Sequence, residues 1–93
     1  MMEAVWSDEA LLNYFKVLDY LFDNWSANEI ENFENSFDEL IASIKDNNEI
    51  CPKSKILNFR KCLIDKNNSL IYQEINGKIF LISLIDNRSS HQY

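Results

Sequence analysis

The sequence predicts an α+β fold of order β-α-α-β-β-β, with a helical hairpin packed on a small, mostly antiparallel four-stranded sheet. Three observations predict it. Two stretches in the first half repeat apolar residues at helical spacing. The second half holds three apolar runs, Ile56–Asp65, Ser69–Ile75 and Lys78–Ile85, rich in Ile, Leu, Phe and Tyr. Polar turns separate those runs, Asp65-Lys66-Asn67-Asn68 and then Asn76-Gly77. Asn-Gly between alternating apolar runs signals a hairpin, because a type I′ turn needs φ > 0 at both central residues.

Taken in order, Glu3–Trp6 reads as a short first strand. Ser7 is a suitable N-cap, and Asp8 and Glu9 put negative charge where the helix dipole favours it. The first helix then runs to about Asn24. Leu11, Tyr14, Phe15, Leu18, Leu21, Phe22 and Trp25 follow the spacing of one buried face. Ser26, with Glu29 three residues on, reads as a capping box opening a second helix. Its apolar stripe is Ile30, Phe33, Phe37, Leu40, Ile41 and Ile44, and Asp46-Asn47-Asn48 ends it. So short a junction folds the two helices into an antiparallel hairpin.

Glu49–Lys55 is a loop into the sheet. Along the first strand of the meander, Leu57, Phe59, Lys61 and Leu63 face one way, and Ile56, Asn58, Arg60, Cys62 and Ile64 the other. The last run is apolar on both faces except at Ser83, which marks a central strand. Residues 1–93 form one domain, with 89–93 a short polar tail.

Composition narrows the function. Of 93 residues, 46% are hydrophobic and 13% aromatic, enough for one small core. No apolar run is long enough for a membrane helix. Acids near the N-terminus argue against a signal peptide, so a cytoplasmic location is expected. Cys51 and Cys62 lack metal-ligand spacing and read as two reduced thiols in or near the core. No metal or organic cofactor is indicated.

The net charge of −6 is unevenly spread. Residues 1–49 carry two bases against twelve acids, a balance of −10. Residues 50–93 carry seven bases against three acids, a balance of +4. Nucleic-acid binding rests on a basic footprint, so only the sheet half could supply one.

Several short segments together resemble the RelE/ParE superfamily of bacterial type II toxins. They are Val5-Trp6-Ser7 with Ala10, Tyr20-Leu21, and Asn24-Trp25-Ser26 at the helix junction. They continue with Pro52-Lys53-Ser54-Lys55, Asn58-Phe59-Arg60, Ser69-Leu70-Ile71-Tyr72 and Asp86-Asn87-Arg88. The resemblance spans Val5 to Arg88. It implies a toxin neutralised by a cognate antitoxin, whose C-terminal segment wraps it.

RelE-like members cut mRNA on the ribosome, with basic residues on the open sheet face and a C-terminal Tyr or His. ParE-like members lack that cluster and poison DNA gyrase by protein contact. By this resemblance Arg60 and Arg88 match basic positions of the ribonuclease site, and His91 or Tyr93 could transfer protons. Cys62 and Ser69 stand where further cations are typical. RNA cleavage needs positioned cations on the phosphate and groups that move protons. The two departures and the acidic total favour the ParE-like branch, with gyrase as target. A ribonuclease using Arg60, Arg88, His91 and Tyr93 is the alternative. A further alternative is an inactive toxin fold that only binds antitoxin.

Overall fold

The computed structural model describes residues 2–55 and 58–88. The elements are β1 (Glu3–Trp6), α1 (Asp8–Asn24), α2 (Ala27–Asp46), β2 (Arg60–Leu63), β3 (Asn68–Ile75) and β4 (Lys78–Asp86). Four strands form one mixed sheet in the order β1-β4-β3-β2. β3 pairs antiparallel with β2 and β4, while β1 runs parallel to β4. β4 is thus central, as its two-sided apolar pattern predicts.

Turn chemistry sets the meander. Asn76 (φ 53°) and Gly77 (φ 80°) both lie in the left-handed region and join β3 to β4. Between β2 and β3, Asp65 Oδ1 accepts the backbone N–H groups of Asn67 and Asn68, at 2.8 and 2.9 Å. That acceptor fixes a tight turn without glycine.

Ser7 locks the first strand to the first helix. Its Oγ accepts the Ala10 N–H at 2.9 Å and donates to the Ile82 carbonyl at 2.8 Å. Its own N–H donates to the Leu81 carbonyl at 2.9 Å. The cap of α2 differs from the predicted capping box. Ser26 makes no side-chain cap bond, and its carbonyl instead accepts the N–H groups of Glu29 and Ile30.

The core lies where the hairpin meets the sheet. Ala10, Phe33, Phe37, Ile44, Cys62, Leu70, Tyr72, Ile79 and Leu81 are buried there. Trp6 of β1 stacks on Phe37, with ring centroids 5.3 Å apart, and meets Tyr14 edge-on at the same distance. Such aromatic pairs add about 1 kcal/mol each beyond their burial.

Two further expectations need correction. The meander's first strand is shorter than Ile56–Asp65. Residues 56 and 57 lie outside the described residues, and β2 itself begins at Arg60. A loop closes on it instead: Ser54 N–H donates to Phe59 O at 2.8 Å, and Lys53 bridges Arg60.

The predicted buried face of α1 is also rotated. Ala10 is fully buried, with Tyr14, Val17 and Leu21 on the core side. Leu11, Phe15, Phe22 and Trp25 are exposed. The reason is a close approach of α1 to β4. Ala10 is small enough to touch the sheet, and Asn13 reaches it. Asn13 Oδ1 accepts Ser83 Oγ–H and Leu84 N–H, both at 3.1 Å. These bonds sit beside the register shift between β3 and β4 at Ile71/Tyr72. The residue that the shift skips is Ile82, whose carbonyl accepts Ser7 Oγ–H, and Asn13 takes the Leu84 N–H two residues on. Polar chemistry rather than the apolar stripe thus sets the rotation of α1.

Candidate functional site

Arg60 opens β2 directly opposite Tyr72. On the same face come Cys62 of β2 and Ile64 just beyond it, both buried in the core. The face carrying Arg60 is therefore the one turned toward the helices and the 47–55 loop. Its Nη1 donates to the Cys51 carbonyl at 2.7 Å. Beside it, the Tyr72 hydroxyl donates to the Asn48 carbonyl at 2.9 Å. Burial raises the Tyr72 pKa above its usual 10.0, and a backbone hydrogen bond at Cys51 and the Arg60 charge act the other way.

Cys51 and Cys62 form a disulfide, with Cα atoms 5.4 Å apart. This corrects the reading of two reduced thiols. The pairing arises because the 47–55 loop folds back along β2, where Lys61 N–H donates to the Pro52 carbonyl at 3.1 Å. Cys62, where the resemblance led us to expect a cation in a ribonuclease, is thus half of a cross-link.

Arg88 lies just beyond β4. Its Nε and Nη2 grip the two Asp86 carboxylate oxygens at 3.0 and 2.8 Å, and its N–H also meets Asp86 Oδ1 at 2.8 Å. The Arg88 hydrogen bonds hold the Asp86 carboxyl below the usual carboxylate range. The same pair, with the Tyr20 hydroxyl oxygen of α1 accepting a hydrogen bond from Arg88, pushes the Arg88 pKa further up. Behind Arg88, Asn87 is strapped to the β2–β3 turn. Its N–H donates to Asn67 O at 2.8 Å, and its Oδ1 accepts Ser69 Oγ–H at 2.6 Å. Ser69, the second position expected to be cationic, is fully buried and spent on this strap.

The two arginines do not converge. Arg60 sits opposite Tyr72, whereas Asp86 sits opposite Asn68, four residues away along β3. At the usual strand rise that is about 13 Å along the sheet, with β3 between them. Each guanidinium is held by its own neighbour, Arg60 by the Cys51 carbonyl and Arg88 by the Asp86 carboxylate. His91 and Tyr93 lie outside the described residues. Arg88 instead lines a groove of about 900 Å3 between the hairpin and the β2–β3 turn. Lys16, Tyr20, Trp25, Asp65 and Lys66 line it too. Among the described residues, no three His, Cys, Asp or Glu side chains group so as to hold a metal ion. Nor is any helix among them long and apolar enough to cross a membrane.

No protein-family model and no curated protein matches the chain by sequence. Solved structures do match it. A chain of the chromosomal ParDE TA system from P. aeruginosa superposes with a TM-score of 0.78, covering 92% of this chain and 96% of that one at 12% identity. This is the RelE/ParE fold. A copper-bound mutant toxin from Helicobacter pylori shares the RelE/ParE fold at a TM-score of 0.69 and 17% identity, over 95% of this chain and 97% of its own. So does a chain of the YoeB–YefM complex from Staphylococcus aureus, at a TM-score of 0.60 and 18% identity, over 90% and 94%.

Sequence reasoning named Arg60 and Arg88 but missed what holds them. Neither the Cys51 carbonyl nor the Tyr20 hydroxyl carries a signal at the level of residue spacing. Asp86, two residues from Arg88, is the one partner that proximity could have suggested.

Proposed function

We propose that this chain is the toxin of a type II toxin–antitoxin pair, that it is neutralised by a cognate antitoxin, and that it works in the cytoplasm. Within that class it is ParE-like and inhibits DNA gyrase by protein–protein binding. The observation that carries the branch assignment is the separation of Arg60 from Arg88, each already engaged by a neighbouring group. A ribonuclease needs cations gathered on one phosphate, because the transition state concentrates negative charge there. A gyrase-binding toxin has no such requirement. The likeness to the ParDE chain and to YoeB in complex with YefM supports the toxin class and an antitoxin partner.

The test is induced expression in a bacterium, with DNA and protein synthesis followed separately by pulse labelling. Early arrest of DNA synthesis with translation continuing is the expected result. Early arrest of translation would instead favour an mRNA endoribonuclease acting on the ribosome. In that case Arg60→Ala or Arg88→Ala should each lower cleavage by about 10²-fold or more. If neither synthesis changed, the chain would be an inactive fold that binds antitoxin alone.

A further inference from the structure

Asn76 and Gly77 make up the whole turn between β3 and β4, and both are exposed. They are also a reactive pair. The side-chain amide carbon of Asn76, Cγ, is an electrophile, and the backbone nitrogen of Gly77 is the nucleophile one residue on. Gly77 has no Cβ to screen that nitrogen. Beyond its chain neighbours, nothing among the described residues lies within 4 Å of the place a Cβ would take. Gly77 is the single glycine of the chain, so of all the asparagines only Asn76 is followed by one.

Two features of the fold hold the pair apart. The first is the turn itself. Asn76 has φ 53° and Gly77 φ 80°. A type I′ turn sets ψ at its first central residue at about +30°. A five-membered succinimide ring needs the Asn76 Cα–C bond rotated well away from that value, so that the Gly77 nitrogen faces Cγ. The tip has to open first, and exposed tips open locally more readily than a core does. The second feature is Glu74. Its Oε2 accepts the Gly77 N–H at 2.7 Å. The nitrogen has to lose that proton in order to attack. A carboxylate seated on the N–H stabilises the protonated amide and the closed turn together.

We infer that Asn76 is a site of spontaneous deamidation, and that Glu74 sets its rate by holding the Gly77 N–H. In the reaction the Gly77 nitrogen bonds to Asn76 Cγ and the Cγ–Nδ2 bond breaks. Ammonia leaves, carrying the proton from the Gly77 nitrogen. Water then opens the succinimide at either carbonyl. One opening leaves aspartate at position 76. The other leaves isoaspartate, whose extra backbone carbon lengthens a turn that has no slack. The Ile75–Lys78 pair closes that turn, and β4 beyond it pairs with both β1 and β3. A change at the tip therefore acts on the central strand, and each event adds a negative charge close to Glu74. The inference does not depend on gyrase or on toxicity.

The test incubates the full chain at neutral pH, below its melting temperature, and follows it by intact mass. Peptide mapping places the change, and labelling with an isoaspartyl methyltransferase detects isoaspartate. Asn76 is expected to react ahead of every other asparagine. Glu74→Ala should speed the reaction about fivefold, the factor by which losing one hydrogen bond favours the open turn. Glu74→Gln keeps an acceptor and should give a smaller rise. Glu74 is exposed, so circular dichroism should show the fold intact in both variants. In urea the turn is gone, and all three chains should react at one faster rate. Equal rates in the folded parent and in folded Glu74→Ala overturn the role of Glu74. So does a Glu74→Ala excess that persists in urea, because it would then come from the local sequence and not from the turn. Faster modification at another asparagine, or no loss of ammonia at Asn76 in the folded chain, overturns the site.

Discussion

Arg60 is tethered to Cys51 through the Cys51 carbonyl, and Cys51 is in turn covalently bonded to Cys62, two residues along the strand from Arg60. One short loop is thus held to β2 by a guanidinium and by a disulfide at once. The cross-link spans a sequence separation of 11. Closing a loop of that size in the unfolded chain is worth about 3 kcal/mol in the chain-entropy model. Cys51→Ser, or reduction, should therefore lower unfolding free energy by about that amount. Urea titrations with and without reductant would measure it. An unchanged midpoint would mean the bond constrains nothing that matters to folding.

Asn13 holds α1 against the bulged region of β4. Asn13→Ala would leave the Leu84 N–H and the buried Ser83 hydroxyl without this acceptor. The expected cost is about 1–3 kcal/mol, as for a buried donor left unpaired. Asn13→Asp keeps an acceptor and should lose less. Thermal melts of the two variants against the parent would rank them, and equal losses would argue against the hydrogen bonds as the cause.

Alkaline pH should destabilise the fold. Burial raises the pKa of Tyr14 and of Tyr72 above the usual 10.0. Near Tyr14, Glu34 and Asp38 add to the rise. A raised folded-state pKa gives stability that is fully present below the unfolded value and lost as pH rises through the folded one. Melting temperature should thus be flat up to about pH 9 and fall beyond about pH 10. Tyr14→Phe should make the fall shallower, which a pH series of melts would reveal.

Gly77 sits at φ 80° with open space around the position a Cβ would take. Gly77→Ala meets no clash and costs only the backbone strain of a left-handed residue, about 1 kcal/mol. Gly77→Val should cost more, because β-branching resists that region. Chemical denaturation of the pair tests the type I′ reading directly.

The hairpin turn, both helices and the central place of β4 were legible because each rests on a local signal: Asn76-Gly77, the apolar periodicities, and the two-sided apolar run of β4. The face of α1 was misread because seven apolar residues at helical spacing cover too wide an arc to name one side. Ala10 and Asn13 decided the matter by reaching β4, and neither stands out in an apolar pattern. The disulfide depends on a loop folding back along β2, which no spacing between residues 51 and 62 discloses. Arg60 was placed on the correct alternation with Cys62, but the partner that occupies its guanidinium comes from that same loop.

The parallel pairing of β1 with β4 also sets a schedule. Ser7 bonds to Ile82 across a sequence separation of 75. At bacterial-scale synthesis rates of about 5–20 residues per second, the first strand waits on the order of ten seconds for its neighbour to exist. During that interval α1 and α2 have no sheet to cover, and both their inner and outer apolar rows face solvent. A message cut short anywhere before β4 leaves a helical fragment without a platform, a ready substrate for proteases. The newborn chain is therefore most in need of a companion before it has acquired its own structure.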